Sequence, residues 1–257
     1  MAGSLFPRVV AGAVLLCVFG AAAEAAQVTR AIGNVQVLPA QGAASAAKAG
    51  TPVPDGAALR TGPDARAELT FSDRTVTRLG GKTILRVKAG ARDLHLEEGA
   101  VLFHAPRQAR GARIATGTIT AAITGTTGLV ERFGTAYFKL LVLEGTARVF
   151  VPKLGESVLV TAGQMLISKP DARVLPEPVH FNIEHLYRTS LLTRREFAPL
   201  PSHDAILQAI RKQKSDPKLL ETNLIIYGRG TLVNLVEPTP TPAAARPPTS
   251  PARAEKP

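Results

Sequence analysis

The stretch ARAELTFSDRTVTRLGGKTILRV, residues 65–87, decides the fold class. Ala67, Leu69 and Phe71 alternate with Arg66, Glu68 and Thr70, and Leu85 and Val87 alternate with Arg86 and Lys88. A period of two puts side chains of one kind on one side of a pleated strand. Gly80-Gly81 between the two runs is a turn signal. Outward from this stretch the same grammar continues, with Ala147, Val149 and Val151 set against Arg148 and Phe150. Further turn signals stand at Pro54-Asp55-Gly56, Gly62-Pro63-Asp64 and Gly99. Strands do not alternate with helices here, which argues against a parallel doubly wound fold. The expectation is an all-β domain over residues 27–178, an antiparallel β-sandwich or roll with solenoid-like coils as a variant.

An echo links LEEGAVLF, residues 96–103, with LEGTARVF, residues 143–150. Each reads as an acidic-Gly turn entering a buried strand, in successive coils or paired sheets of one domain. Two copies offset by a residue do not make a repeat protein.

Beyond residue 178 the period changes. Asn182 is placed to cap a helix carrying Ile183, Leu186, Tyr187 and Leu191 on one face, and Ser202 to cap another carrying Ile206, Leu207 and Ile210. Asp216-Pro217 predicts a short third helix. Such short helices must dock, on the β domain or on a partner. Leu224-Ile225-Ile226-Tyr227 and residues 232–236 flank Gly228-Arg229-Gly230 as a last hairpin, which completes an appendage over residues 179–236. Residues 237–257 are rich in Pro, Ala, Thr and Ser and are expected to be disordered.

At the other end, residues 9–23 hold no charge, and Ala23 and Ala25 occupy the places of an A-x-A cleavage site. Residues 1–25 therefore read as a signal peptide, cut after Ala25 or Ala26, with an uncleaved membrane anchor as the alternative. Cys17 is the only cysteine and lies in this run, so the mature chain has no disulfide or thiolate to use. The formal net charge is +11, spread along the chain. With no Trp and 5% aromatics, stacking platforms for nucleic acid are scarce, and acidic lipids or wall polymers suit the charge better.

Chemistry-bearing motifs are few. Gly80-Gly81-Lys82-Thr83 resembles the end of a phosphate-binding loop, but Val76 stands where that loop needs Gly, and a strand follows. His180 and His185 lie on different sides of a helix, and His95, His104 and His203 have no ligand spacing. Glu97-Glu98, Glu144 and Glu156 sit at turns without a glycosidase motif, and no serine has a nucleophile elbow. No catalytic residue, cofactor or metal is expected. Arg107, Arg110 and Arg113, in one Gly- and Ala-containing loop, are the candidate contact for an anionic ligand, against the plainer reading of a solvated loop blunting a sheet edge. Arg74, Arg78, Lys82, Arg86, Lys88 and Arg92 form a second basic series, a stripe if they share an exposed face.

In order, the segments GNVQVLPA (33–40), AGTPVPDGAALRTGPDARAELTFSDRTVTRLGGKTILRV (49–87), LHLEEGAVLF (94–103), ARIATGTITAAITGTTGLVE (112–131), LLVLEGTARVF (140–150) and ESVLVTAGQMLIS (156–168) resemble the FecR domain. The resemblance implies a periplasmic β-rich roll or sandwich that transmits signals or binds partners, typified by regulators of iron-siderophore uptake. Those regulators carry a cytoplasmic helical segment before their membrane helix, whereas only Met1 to Arg8 precede the apolar run here. The expectation is thus the stand-alone form: an exported, non-enzymatic binding or scaffold module of the bacterial envelope, periplasmic or secreted. Its expected partners are an envelope protein or an anionic envelope polymer, not nucleic acid, and a membrane only if the N-terminal segment stays uncleaved. A membrane-anchored signalling regulator and a basic polymer-binding protein are the alternatives.

Overall fold

The computed structural model describes residues 24–88, 93–109, 111–117, 119–152, 155–169, 172, 174–216, 224–228 and 231–235. Strands make up 52% of the structure and form a mixed, open arrangement not closed into a barrel. The all-β expectation is met.

Two sheets share one long strand. The first runs in the order β4 (Pro52–Pro54), β1 (Glu24–Ile32), β6 (Arg66–Phe71), β7 (Val76–Leu79), β9 (Asp93–Ala105), β12 (Thr126–Phe133), β13 (Tyr137–Glu144), β16 (Gln164–Ser168) and β17 (Val179–His180). The second runs β3 (Ser45–Ala46), β2 (Val35–Leu38), β5 (Ala58–Thr61), β8 (Ile84–Lys88), β9, β10 (Ala112–Thr116), β11 (Ile119–Ile123), β14 (Thr146–Val151) and β15 (Glu156–Thr161). All pairings are antiparallel except that of β9 with β10.

β9 pairs through residues 93–98 with β8 and through residues 101–104 with β7, so it passes from the second sheet to the first. Gly99 sits at the crossing with φ +93, and a Cβ there would stand 2.6 Å from the Thr83 Cα. The position expected to be a turn is therefore a bend inside a continuous strand, because pairing partners on both sides hold the chain extended through it. The echo at Glu144-Gly145 marks the opposite passage, from β13 in the first sheet to β14 in the second.

One core fills the space between the sheets: Leu69, Phe71, Val101, Phe103, Phe138 and Leu140 from the first, Leu59, Leu85, Leu96, Ile114, Val149 and Val160 from the second. Removing this apolar surface from water is the main stabilising term. Across the other face of the first sheet, directly paired residues form the row Arg78, Leu102, Leu129, Leu141, Met165. That face is covered by the chain after β17, where α1 (Ile183–Thr189), residues 190–202 and α2 (His203–Lys214) contribute Ile183, Leu186, Leu192, Phe197, Leu200, Ile206 and Ile210. Strands β12 and β13 are thus buried on both faces, and neither alternates: β13 carries the unbroken apolar run Leu140-Leu141-Val142-Leu143, and β12 buries Thr126 and Thr127 as fully as Leu129 and Val130.

Asn182 caps α1 as expected, accepting from the His185 N–H at 2.9 Å. The helix stops at Thr189, two residues short of Leu191, and Leu192 supplies the buried contact instead. β18 (Leu224–Gly228) and β19 (Thr231–Leu235) pair antiparallel as the expected hairpin. The third helix and the Pro-rich tail fall outside the described residues, as does the N-terminal apolar run. No helix among the described residues is long and apolar enough to cross a membrane.

Candidate binding cleft

The segments ITGTTGLVE (123–131) and VLEGTARV (142–149) meet at one corner of the roll. Gly125 has φ +60 and Gly145 φ +78, and a Cβ on Gly145 would lie 2.2 Å from the Gly125 carbonyl oxygen. Only glycine permits both the backbone conformation and the approach. Thr126 Oγ1 fastens the corner by accepting from the Thr146 N–H at 3.2 Å, with the Thr124 carbonyl oxygen 3.0 Å away as acceptor. Arg107 lays its stem over Gly125, where a Cβ would come within 2.6 Å of the Arg107 Cγ.

Beside this corner opens a cleft of about 720 Å³, bounded on one side by Arg107, Glu144, Gly145 and Ala162 and on the other by α2 through Ala205, Gln208, Ala209, Arg211, Lys212 and the following Ser215. Ala205 and Ala209 are one helical turn apart, and their small side chains leave the space open.

Glu144 belongs to a buried polar row on the covered face of the first sheet. Thr127 Oγ1 is 2.7 Å from Glu144 Oε1, 2.6 Å from Ser202 Oγ and 2.9 Å from His104 Nδ1. A hydroxyl has one proton to give and two lone pairs. With that proton on the carboxylate, Thr127 accepts from Ser202 and from a protonated His104 Nδ1, and all contacts are satisfied. Burial raises the Glu144 pKa, opposed by the Thr127 hydrogen bond and the Arg107 charge. Burial lowers the His104 pKa and favours neutral imidazole. Ser202 makes no side-chain cap on α2, and its hydroxyl ties the start of the helix to the sheet instead.

The candidate arginines are placed differently from one another. Arg107 is exposed at the cleft. Arg113 lies on β10 and is bidentate to Asp93 at 2.7 and 3.1 Å. Arg110 lies outside the described residues. Of the second basic series Arg92 lies outside the described residues, and the described members form no common stripe. Arg78 is buried, with side-chain exposure of 2%, and bonds Glu68 at 2.7 Å and the Leu192 carbonyl at 2.9 Å. Arg86 pairs with Glu97 at 2.9 Å, and Arg74 and Lys82 occupy turns at positive φ. Sequence reasoning missed Arg211 and Lys212. They stand in the basic run RKQK at the end of α2, which reads as an ordinary helix terminus until the fold brings it to Arg107. Among the described residues no three His, Cys, Asp or Glu side chains gather as a metal site.

Residues 57–148 match the family model described as FecR protein, which lies within the stretch where the sequence resembles that family. No curated protein matches the chain. Two crystal structures of a candidate anti-sigma factor from Parabacteroides distasonis, at 1.65 and 2.50 Å resolution, are similar to it with 15% and 16% identity and a TM-score of 0.41 each. The similarity covers 46% of this chain and 57% of each of those, so this chain spans a little over half of their length.

Proposed function

We propose that this protein is an exported, non-enzymatic binding module of the bacterial cell envelope that serves as a FecR-type sensor or scaffold. The observation that carries the reading is the FecR match over residues 57–148, which falls on strands of both sheets and takes in the corner that forms the cleft. Two features of the chain support it. The apolar run at residues 9–23 and the small residues after it suit export. The outer face of the second sheet is polar, with Arg60 bonded to Gln36, Arg86 to Glu97 and Arg148 to Ser157, and it offers a broad surface to a partner.

The test joins two measurements on the protein expressed in a bacterial host. Mass determination of its N-terminus in the soluble periplasmic fraction should find a start at residue 26 or 27, and an intact N-terminus in the membrane fraction would replace this reading with an anchored regulator. Co-sedimentation with sacculi and with outer-membrane vesicles over a salt series should show pelleting that survives high salt. Pelleting lost with salt would reduce the interaction to screened surface charge. A cytoplasmic protein that pellets with neither would overturn the envelope role.

A further inference from the structure

The geometry points to the cleft between the Glu144–Gly145 corner and α2 as a binding site for a phosphate-bearing ligand, held by Arg107, Arg211 and Lys212. The inference rests on the envelope reading only for where such a ligand would be met. Three cations reach one cleft from two elements far apart in sequence. What sets these three apart is convergence on one cleft: among the neighbouring cations, Lys214, two residues after Lys212, is taken up by Glu184, and Arg113, six residues after Arg107, by Asp93. No ion pair engages Arg211 or Lys212 among the described residues. A basic last turn offsets the negative end of the α2 dipole, but that effect does not bring Arg107 to the same place.

Charge selects the ligand class. Among the described residues that line the cleft, Glu144 is the one carboxylate, and its Oε1 is already occupied by Thr127. Glu144 offsets at most one positive charge, leaving an excess that suits a phosphate ester of about −1.5 to −2 better than a monocarboxylate. The guanidinium fork of an arginine fits two phosphate oxygens at once, and lysine supplies a point charge beside it. The cleft, about 720 Å³ and largely open to solvent, leaves room for the group to which the phosphate is attached.

The first probe is inorganic pyrophosphate, titrated calorimetrically into the purified protein at about 0.15 M salt, where diffuse surface attraction is screened. Saturable binding is expected. Arg107→Gln and the double variant Arg211→Gln/Lys212→Gln should each weaken it about tenfold, the loss typical of one charged hydrogen bond. Arg148→Gln, at an exposed arginine on β14 bonded to Ser157, should leave it unchanged. Because all four positions are exposed, thermal melts of the variants should match the parent. No saturable heat, an equal loss in Arg148→Gln, or citrate binding as tightly as pyrophosphate would overturn the proposal. Vesicles containing phosphatidic acid separate the sources. Pelleting abolished by Arg107→Gln assigns the phosphate to a lipid headgroup, and pyrophosphate binding without pelleting assigns it to a soluble ester. Neither failure touches the envelope role, which is read from the N-terminus and from sacculi.

Discussion

The guanidinium of Arg78 lies 4.7 Å from the ring centroid of Phe197, which joins the middle of the first sheet to the segment that follows α1. The same side chain bonds Glu68 at 2.7 Å, the Leu192 carbonyl at 2.9 Å and the Ala198 carbonyl. Removing one partner of a buried charged pair leaves the other uncompensated. Arg78→Ala should therefore lower stability by about 3 kcal/mol or more. Arg78→Lys should lie between the two, since an ammonium cannot reproduce a planar fork that serves two carbonyls and a carboxylate at once. Urea midpoints of the three proteins measure this, and a midpoint for Arg78→Ala within error of the parent would show that residues 192–198 hold their place without it.

The covering segment is a structural part of the domain, so truncation after Ser168 should be costly. It would uncover Leu102, Leu129, Leu141, Leu143 and Met165, all buried in the complete chain. Each large apolar side chain contributes about 1.5–3 kcal/mol when fully buried. A fall in Tm of roughly 10 °C or more is expected, together with binding of a hydrophobic dye. A truncated protein melting at the parent temperature would mean that this face is tolerated in water. Ile206→Ala, at a fully buried position of α2, should give the graded version, about 2–4 kcal/mol.

What could be read from the sequence follows from how many faces of a strand are buried. β6, β8 and β14 bury one face strongly and the other weakly, so RAELTF, ILRVK and TARVFV alternate and betray their orientation. The second half of β9, with β12 and β13, is buried on both faces, the alternation vanishes, and nothing in the sequence says what lies on the far side. Arg78 was legible only as one of a basic series, because a buried arginine and an exposed one look alike until Leu192, Phe197 and Ala198 arrive from a remote segment. Arg107 could be singled out by its loop. Its companions at the cleft could not, because Glu144 and Arg211 are brought together by the crossing of sheets and the docking of α2.

The corner beneath the cleft makes a sharp prediction about glycine. Gly145→Ala must place a methyl 2.2 Å from the Gly125 carbonyl oxygen and 2.9 Å from the Thr126 Cα, backbone atoms that cannot swing aside, at φ +78. Strain and clash together should cost on the order of 3 kcal/mol. Gly50→Ala has a comparable φ of +87 but nothing within 4 Å of its Cβ, and the conformational term alone, about 1 kcal/mol, should remain. Equal losses in the two variants by denaturant titration would mean that the close approach at Gly145 relaxes freely.

The buried row beside Glu144 gives stability a pH dependence whose sign can be worked out. The His104 pKa is lowered by burial from its ordinary 6.5, so between the lowered value and 6.5 the unfolded chain holds more protons than the folded one. Stability from this group is complete above 6.5 and is lost as the pH falls through the folded pKa. Glu144 acts in the opposite sense, since its raised pKa makes the folded state the better proton acceptor in acid, above the ordinary carboxylate value. His95, also lowered chiefly by burial, adds to the His104 trend. His104→Asn keeps an N–H donor facing Thr127 and removes only one titration, leaving His95 and Glu144 in place. The stability advantage of the parent over His104→Asn should be largest near pH 7.5 and shrink towards about pH 5.5. Chemical denaturation of both proteins across that interval reads the difference directly, and a constant difference would show that His104 titrates in the fold as it does in the open chain.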